Sequence, residues 1–206
     1  AGVIYPFFDS SGFLYIPHSK GEGMMLRWKE KVFLLGAGSR EMLDLLRRKG
    51  IASIDKLFLL SGSAGHLGYA DEYLSELNIG AVVLSRRMKD GERKSRAEYL
   101  ISENRIRTEY LSGPFQIGIW TLFPQKRTEG EGLLMETENI RIGLMTDPEN
   151  TCRADWIHYS PYLSGKAVKR PSGFGIINNY LKRGAVRVNL TKKKLKVWDQ
   201  KWMSIK

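Results

Sequence analysis

Cysteine and histidine are both scarce in this sequence, which has one cysteine and three histidines among 206 residues. A single cysteine, Cys152, excludes an internal disulfide framework and any zinc site built from cysteines. The three histidines, His18, His66 and His158, are too few to supply a histidine-rich centre for two metal ions. Residue counts therefore argue against a metal centre in general.

Long apolar runs are also missing. The best ones, Val32–Leu35 and Leu57–Leu60, are strand-sized, whereas a membrane helix needs about 20 apolar residues. No signal-peptide pattern is present. Because the chain begins with Ala1 rather than Met, we expect a fragment or a processed product.

The composition suits one folded domain. With 42% hydrophobic and 11% aromatic residues the chain can bury a core, which excludes a disordered tail. Its length predicts a single domain over residues 1–206, with a basic C-terminal segment at 181–206.

The positive charge is concentrated in two places. The net charge is +11, and residues 181–206 alone contribute +8. A second excess, eight basic against four acidic residues, lies between Arg86 and Arg107. Lys and Arg that neutralise phosphates release counterions, so this clustering predicts a polyanion such as DNA as the partner; the alternative is a solvated surface that keeps the domain soluble. The candidate nucleic-acid-binding residues are Arg86, Arg87, Arg93, Lys94, Lys192, Lys193, Lys194 and Lys196.

Two tryptophans lie within the basic C-terminal segment. Trp198 and Trp202 could stack on the bases of a nucleic acid. The alternation over Leu195–Trp198 is also typical of a half-buried strand, which would pack these rings onto the domain. Both interpretations stay open.

Hydrophobic periodicity predicts a mixture of strands and helices. Its clearest signals are a hairpin of Met24–Trp28 with Lys31–Leu35, and a helix that Ser39 caps and Gly50 ends. It also predicts a helix over Glu92–Glu103. Further along, it predicts one strand over Phe115–Phe123 and a helix over Gly173–Lys182. Two sheets packed face to face with helices outside would satisfy this order.

Two loops of small residues follow buried strands. Gly36-Ala37-Gly38-Ser39 could hold a phosphate at a helix N-terminus. The third glycine of a dinucleotide fingerprint is missing, however, because Glu41 and Met42 occupy its neighbourhood. Taken alone, the small residues of Ser61–Gly68 predict a phosphate-binding loop or a tight turn.

The run Leu57–Tyr69 resembles the metal-binding signature of the metallo-β-lactamase superfamily. The resemblance is strongest to the soluble domain of the ComEC/Rec2 DNA-uptake channel proteins, where an apolar strand precedes Thr-His-Pro-Asp-Ala-Asp-His-Ile-Gly-Gly. Laid without gaps, Ser61 stands at the first His, Ser63 at the first Asp, Gly65 at the second Asp and His66 at the final His.

Other segments resemble the same family in order and spacing, over about residues 13–190. Ser19–Arg27 is similar to its Val-Gly-Gln-Gly-Asp segment, and Val32–Gly38 to its Ile-Asp-Ala-Gly strand end. Arg141–Glu149 resembles the strand that ends in Thr-Gly-Asp, with Asp147 in the metal-bridging place. The approach to the family's His-His-Gly-Ser motif is also similar, but the places of the two histidines are taken by Pro161 and Tyr162.

The resemblance implies a metallo-β-lactamase-like αββα sandwich, with two mixed sheets and outer helices, whose metal site has degenerated. Only His66 and Asp147 remain at ligand places, and a catalytic zinc usually has three protein ligands. In the metal-free interpretation the domain binds no cofactor. His66 is then a structural residue whose ring bonds to the backbone, and Asp147 is a turn or cap residue.

The resemblance also implies a function. The chain would be the extracytoplasmic soluble domain of a membrane DNA-uptake protein, with DNA and the channel part of the same protein as partners. It would bind or guide DNA rather than cleave it. The alternative is a divergent phosphodiesterase that uses His66 and Asp147, with His158 or His18, to hold zinc or manganese. A third possibility is a structural remnant that stabilises a membrane partner.

Overall fold

A computed structural model of the chain describes residues 12–16, 21–127, 130–137, 141–146, 156–159, 175–176, 186–190 and 195–199. This part of the chain forms fourteen strands and four helices. The strands are β1 (Phe13–Ile16), β2 (Met24–Trp28), β3 (Lys31–Leu35), β4 (Ser53–Leu59), β5 (Asn78–Ser85), β6 (Thr108–Leu111), β7 (Phe115–Ile117), β8 (Trp120–Arg127), β9 (Gly130–Glu136), β10 (Arg141–Thr146), β11 (Trp156–Tyr159), β12 (Gly175–Ile176), β13 (Val186–Leu190) and β14 (Leu195–Asp199). The helices are α1 (Arg40–Arg48), α2 (Ala64–Leu67), α3 (Ala70–Glu76) and α4 (Glu92–Glu103).

The strands form two mixed sheets. The larger sheet has the order β14-β13-β1-β2-β3-β4-β5-β6, and the smaller one β12-β11-β10-β9-β8-β7. Strands β3 to β6 are parallel, so helices α1 to α4 lie in the crossover connections between them. This arrangement confirms the predicted sandwich of two mixed sheets.

The core has two layers, one on each face of the larger sheet. Leu57 and Leu59 of β4 pack under the helices, whereas Phe58 between them packs against the smaller sheet. Burial on both faces explains the continuous apolar run of this strand. Trp120 is the largest fully buried side chain of the layer between the sheets. Each such leucine or aromatic residue contributes about 1.5–3 kcal/mol through burial.

Helix α1 begins and ends where the local sequence predicts. The Ser39 hydroxyl accepts a hydrogen bond from the backbone N–H of Met42 at 3.1 Å, a cap that typically contributes about 1 kcal/mol. After the helix, Gly50 adopts φ +65°, a conformation that glycine allows at no steric cost. The predicted β2–β3 hairpin and helix α4 are confirmed at their predicted bounds.

Three predictions from periodicity were wrong or incomplete. The single strand over Phe115–Phe123 is instead the hairpin β7–β8, which turns at Gly118 with φ +60°. A side chain at Gly118 would overlap the ring of Trp28, so two constraints favour glycine there. The helix predicted over Gly173–Lys182 is wrong at Gly175–Ile176, which pair with β11 as β12, because sheet pairing overrides local helix signals. Strand β11 itself was not predicted.

Helix length bears on membrane insertion. Among the described residues, the longest helix is α4 with 12 residues, and none is long and apolar enough to span a bilayer.

In the basic C-terminal segment, the predicted strand that contains Trp198 is confirmed as β14, which is the last strand in the order of the larger sheet. Trp202 lies outside the described residues.

Candidate functional site

Three loops meet at one edge of the larger sheet. Residues 36–39 follow β3, and residues 21–23 precede β2, whose first residue pairs with the last residue of β3. Residues 60–69 follow β4, and the predicted loop there contains the short helix α2. Together these segments are called the three-loop cluster. In open α/β sheets, ligands bind beyond the carboxyl ends of parallel strands, which is where this cluster lies.

The backbones of the three loops bind one another directly. The N–H of Glu22 donates to Gly65 O at 2.6 Å, and that of Gly38 to Glu22 O at 2.8 Å. The N–H of Ala37 donates to His66 O at 2.8 Å. A Cβ atom on Gly38 would overlap the carbonyl of Gly65, so the approach requires glycine. The backbone N–H groups of Ala37 and Gly38 are therefore occupied, and the phosphate cradle considered for this turn does not form.

His66 has both ring nitrogens engaged. The side chain is fully buried, and the backbone N–H of Leu60 donates to its Nε2 at 2.8 Å. The other nitrogen, Nδ1, lies 2.7 Å from Oε2 of Glu22. Because Nε2 accepts this hydrogen bond, the ring proton is on Nδ1, which donates a hydrogen bond to the Glu22 carboxylate. Neither nitrogen has a lone pair left for a metal ion.

Glu22 also binds a buried arginine. Arg127 Nη1 lies 3.1 Å from Glu22 Oε2, and Nη2 lies 2.9 Å from Oε1, a bidentate pair. Burial alone would raise the pKa of Glu22, but the Arg127 guanidinium and the hydrogen bond from His66 hold it well below its ordinary value of 4.5. Glu22, His66 and Arg127 thus form a buried cluster around the Glu22–Arg127 ion pair, called here the Glu22 triad.

Ser61 and Ser63, which stand at ligand places by the resemblance, differ in their hydrogen bonding. Ser61 is fully buried; its hydroxyl accepts the N–H of Ser63 at 3.3 Å, and its backbone forms a β-bridge to Gly130. The Ser63 hydroxyl is buried without a partner among the described residues. Neither side chain replaces an imidazole or a carboxylate as a metal ligand.

The residues of this site do not fit the metal pair that the family signature implies. Within the described ranges, no group of three or more His, Cys, Asp and Glu side chains could hold a metal ion. His66 has no free lone pair, and the carboxylate beside it, Glu22, is paired with the Arg127 cation. Two possible ligands, His18 and Asp147, lie outside the described residues, as do Pro161 and Tyr162 at the places of the family's two histidines. Of His158, only the backbone in β11 is described.

Removing metal ions should leave the stability of the protein unchanged. A structural zinc site typically contributes about 10–16 kcal/mol of binding free energy, whereas the Glu22 triad leaves His66 no lone pair to give. Treatment with EDTA should therefore not shift the thermal unfolding midpoint, and added zinc or manganese should not raise it. Elemental analysis of the purified protein provides the control. Stoichiometric metal that chelation removes with a fall in the midpoint would contradict this expectation.

The basic candidates in the loop after β5 and in the first turn of α4 differ in their exposure. The side chains of Arg86, Arg87 and Arg93 are exposed, and so is that of Lys89, which sequence reasoning had not singled out. Lys94 is only 22% exposed, and it forms ion pairs with Asp90 at 2.6 Å and Glu98 at 3.8 Å. Of the C-terminal candidates, Lys196 lies in β14, and the other three, Lys192, Lys193 and Lys194, lie outside the described residues.

Sequence reasoning missed two members of the triad. Glu22 lies in the segment that resembles Val-Gly-Gln-Gly-Asp, and the flanking Gly21 and Gly23 were the available signal of a special position. Arg127 gives no local signal, because it is 105 residues from Glu22 in the chain. Only the packing of β8 beneath the three-loop cluster brings it there.

No protein-family model and no curated protein sequence matches this chain. Several solved structures, in contrast, are similar to it. The metallo-beta-lactamase fold protein YhfI from Bacillus subtilis is similar with a TM-score of 0.50 at 9% identity, over 70% of each chain. A diphosphatase from the PhnP family has a TM-score of 0.49 at 11% identity, over 90% of this chain and all of its own. A possible metal-dependent hydrolase from Veillonella parvula DSM 2008 has a TM-score of 0.43 at 10% identity, over 72% of this chain and 71% of its own.

The likeness to YhfI agrees with the strand orders and the two-layer core described above. At such low identity the likeness shows the shared architecture and says nothing about activity. The chain has the metallo-β-lactamase fold.

Proposed function

We propose that this chain is a metal-free metallo-β-lactamase-fold domain that binds DNA and does not cleave it. From the sequence resemblance, we further propose that it is the extracytoplasmic domain of a DNA-uptake protein of natural transformation, with the channel part of that protein as its partner. The observation that carries the binding proposal is a cluster of exposed cations in the loop after β5 and the first turn of α4: Arg86, Arg87, Lys89 and Arg93.

Most of these cations are not neutralised by neighbouring carboxylates. Arg86, Lys89 and Arg93 form no ion pair within the described part of the chain, and Arg87 lies 3.9 Å from Glu131. Neighbouring Lys and Arg side chains without ion pairs are suited to phosphate contacts, which fix the position of DNA without reading its sequence.

The cationic loop lies beside the three-loop cluster. A Cβ atom on Gly62 would stand 2.7 Å from the carbonyl oxygen of Lys89, so the two loops touch. DNA held by the arginines would therefore pass over the place that the family uses for metal. The divergent phosphodiesterase alternative loses His66 as a ligand, and a DNA-cleavage assay with added zinc or manganese tests it. Cleavage that His66→Gln abolishes would favour the enzyme over the binding module.

DNA affinity should fall steeply with salt, and the slope should depend on this loop. Each phosphate contact contributes about 0.9 to the slope of log affinity against log salt on a DNA duplex. A triple variant with glutamine at Arg86, Arg87 and Arg93 should therefore flatten the slope by about 2 to 3. Fluorescence anisotropy with a labelled duplex over a salt series measures it.

A second triple variant provides a control of equal charge. Lys29, Lys31 and Arg48 are exposed and lie away from the carboxyl edge of the sheet, so their change to glutamine should leave the slope nearly unchanged. A flat slope for the wild-type protein would overturn the proposal. So would equal effects of the two triple variants, because the loop would then have no special part in binding.

A further inference from the structure

An open groove runs between helix α4 and strand β6. Strand β6 ends the order of the larger sheet in the described residues, so its outer side is not covered by a further strand. Leu111 of β6 packs between the sheets, and by alternation Tyr110 faces the helix side. The groove has a volume of about 630 Å³, with apolar lining from Leu84, Ile101 and Ile106. Pockets for small-molecule ligands, a class that includes nucleotides, typically have volumes of about 300–1,000 Å³.

An aromatic ring stands at this groove with a cation over it. Tyr110 lines the groove and is 51% exposed, one of two exposed large hydrophobic residues in the described ranges. The guanidinium carbon of Arg86 lies 5.0 Å from the centre of its ring. An exposed aromatic face beside an arginine is the arrangement on which unpaired bases stack.

Polar groups line the same groove. The Glu98 side chain is 45% exposed and can accept hydrogen bonds from the exocyclic amino groups of a base. The hydroxyls of Ser102 and Thr108 can donate or accept. Arg105 is exposed and forms no ion pair with a carboxylate of the described residues, so its guanidinium is available for a phosphate.

We propose that this groove binds an unpaired nucleotide of single-stranded DNA, with the base against Tyr110 and the flanking phosphates near Arg86 and Arg105. The inference rests on the proposed DNA binding and names the form of DNA that is preferred. A base inside a duplex is already stacked and paired, and extruding it costs free energy. The combination of a ring, hydrogen-bonding edges and two cations matches a nucleotide better than a phosphate alone.

Replacing the aromatic ring tests the stacking. Stacking of one base on an aromatic side chain corresponds to a change in affinity of about 5- to 150-fold. Tyr110→Ala should weaken binding of a labelled single strand by a factor in this range and leave the affinity for the matched duplex within about twofold. Fluorescence anisotropy at one fixed salt concentration measures both.

Tyr99 provides a matched control. It is 55% exposed and also has an arginine near its ring, Arg96 at 5.5 Å. It does not line the groove, its hydroxyl donates to Glu103, and Arg96 is bound to Asp71. Tyr99→Ala should therefore leave the affinity for the single strand within about twofold of the wild-type value.

Arg105 allows a test that cannot be confused with unfolding. Its backbone adopts φ +53°, the left-handed conformation that follows a helix end and favours glycine. Arg105→Gly should keep or raise the unfolding midpoint while it weakens single-strand binding at least threefold. Lys29→Gly is the control, because Lys29 has φ 54° and the same charge; it should leave that affinity unchanged.

The outcomes separate this inference from the proposed function. A wild-type protein that binds neither single-stranded nor duplex DNA would overturn both. DNA binding with equal affinity for the two forms, and with Tyr110→Ala behaving like Tyr99→Ala, would overturn the groove and leave the arginine loop standing. Competition by free deoxyadenosine monophosphate as effective as by the strand itself would overturn the assignment to a polymer.

Discussion

Replacing Glu22 with glutamine should lower the free energy of unfolding by about 3–5 kcal/mol, because breaking a buried ion pair removes the charge that compensates its partner. Glu22 is 1% exposed and faces the guanidinium of Arg127 and the ring of His66. Glutamine keeps the shape of the side chain but has no negative charge to offer. Urea denaturation at neutral pH measures the change.

An exposed carboxylate provides the comparison. Glu76 also forms a bidentate contact with an arginine, Arg47, but both side chains are largely solvent-exposed. Exposed pairs contribute about 0–1 kcal/mol, so Glu76→Gln should have an effect in that range. Equal losses for the two variants would contradict a special role of the Glu22 triad.

The effect of Glu22→Gln should shrink in acid. The folded state holds the pKa of Glu22 below its ordinary value of 4.5, so the ionised carboxylate stabilises the fold fully above that pH. The contribution is lost as the pH falls through the lowered folded-state pKa. The difference between wild type and variant should therefore be largest near neutrality and narrow progressively below pH 4.5. A gap that stays constant into strong acid would exclude this electrostatic origin.

Replacing Gly38 with alanine should be similarly damaging, at about 3–5 kcal/mol when the overlap and the lost hydrogen bonds are combined. The new methyl group would overlap the carbonyl oxygen of Gly65 and stand 3.0 Å from the backbone nitrogen of Glu22. The loops would have to separate, which breaks the hydrogen bonds of Glu22 to Gly65 and of Gly38 to Glu22. Urea denaturation measures the loss, and amide hydrogen exchange at Glu22 and Gly38 should accelerate.

Gly113→Ala is the control for this substitution. A Cβ atom at Gly113 meets nothing within 4 Å, so the change should leave stability nearly unaltered. If Gly38→Ala unfolds at the same urea concentration as Gly113→Ala and keeps slow exchange at Glu22, the close packing of the three-loop cluster does not contribute to stability.

Local signals accounted for much of the fold. Ser39 and Gly50 mark the ends of α1 because capping and left-handed turns depend on residues next to the helix. The β2–β3 hairpin was predictable for the same reason. Two predictions of secondary structure were wrong for different reasons. At Gly118 the apolar pattern continued through a turn, and at Gly175–Ile176 a short pairing with another strand decided the conformation.

The sequence by itself determined where cations cluster and which residues stand at the places that the family resemblance assigns to metal ligands. Ser61, Ser63 and Gly65 have no imidazole or carboxylate side chain, and the charge counts follow from the residue types alone. Only the tertiary structure decided that His66 is bonded at both nitrogens and that Glu22 binds Arg127. It also decided that Tyr110 faces an open groove with Arg86 above it. Each of these depends on side chains that are far apart in the chain and meet only when the sheets and loops pack.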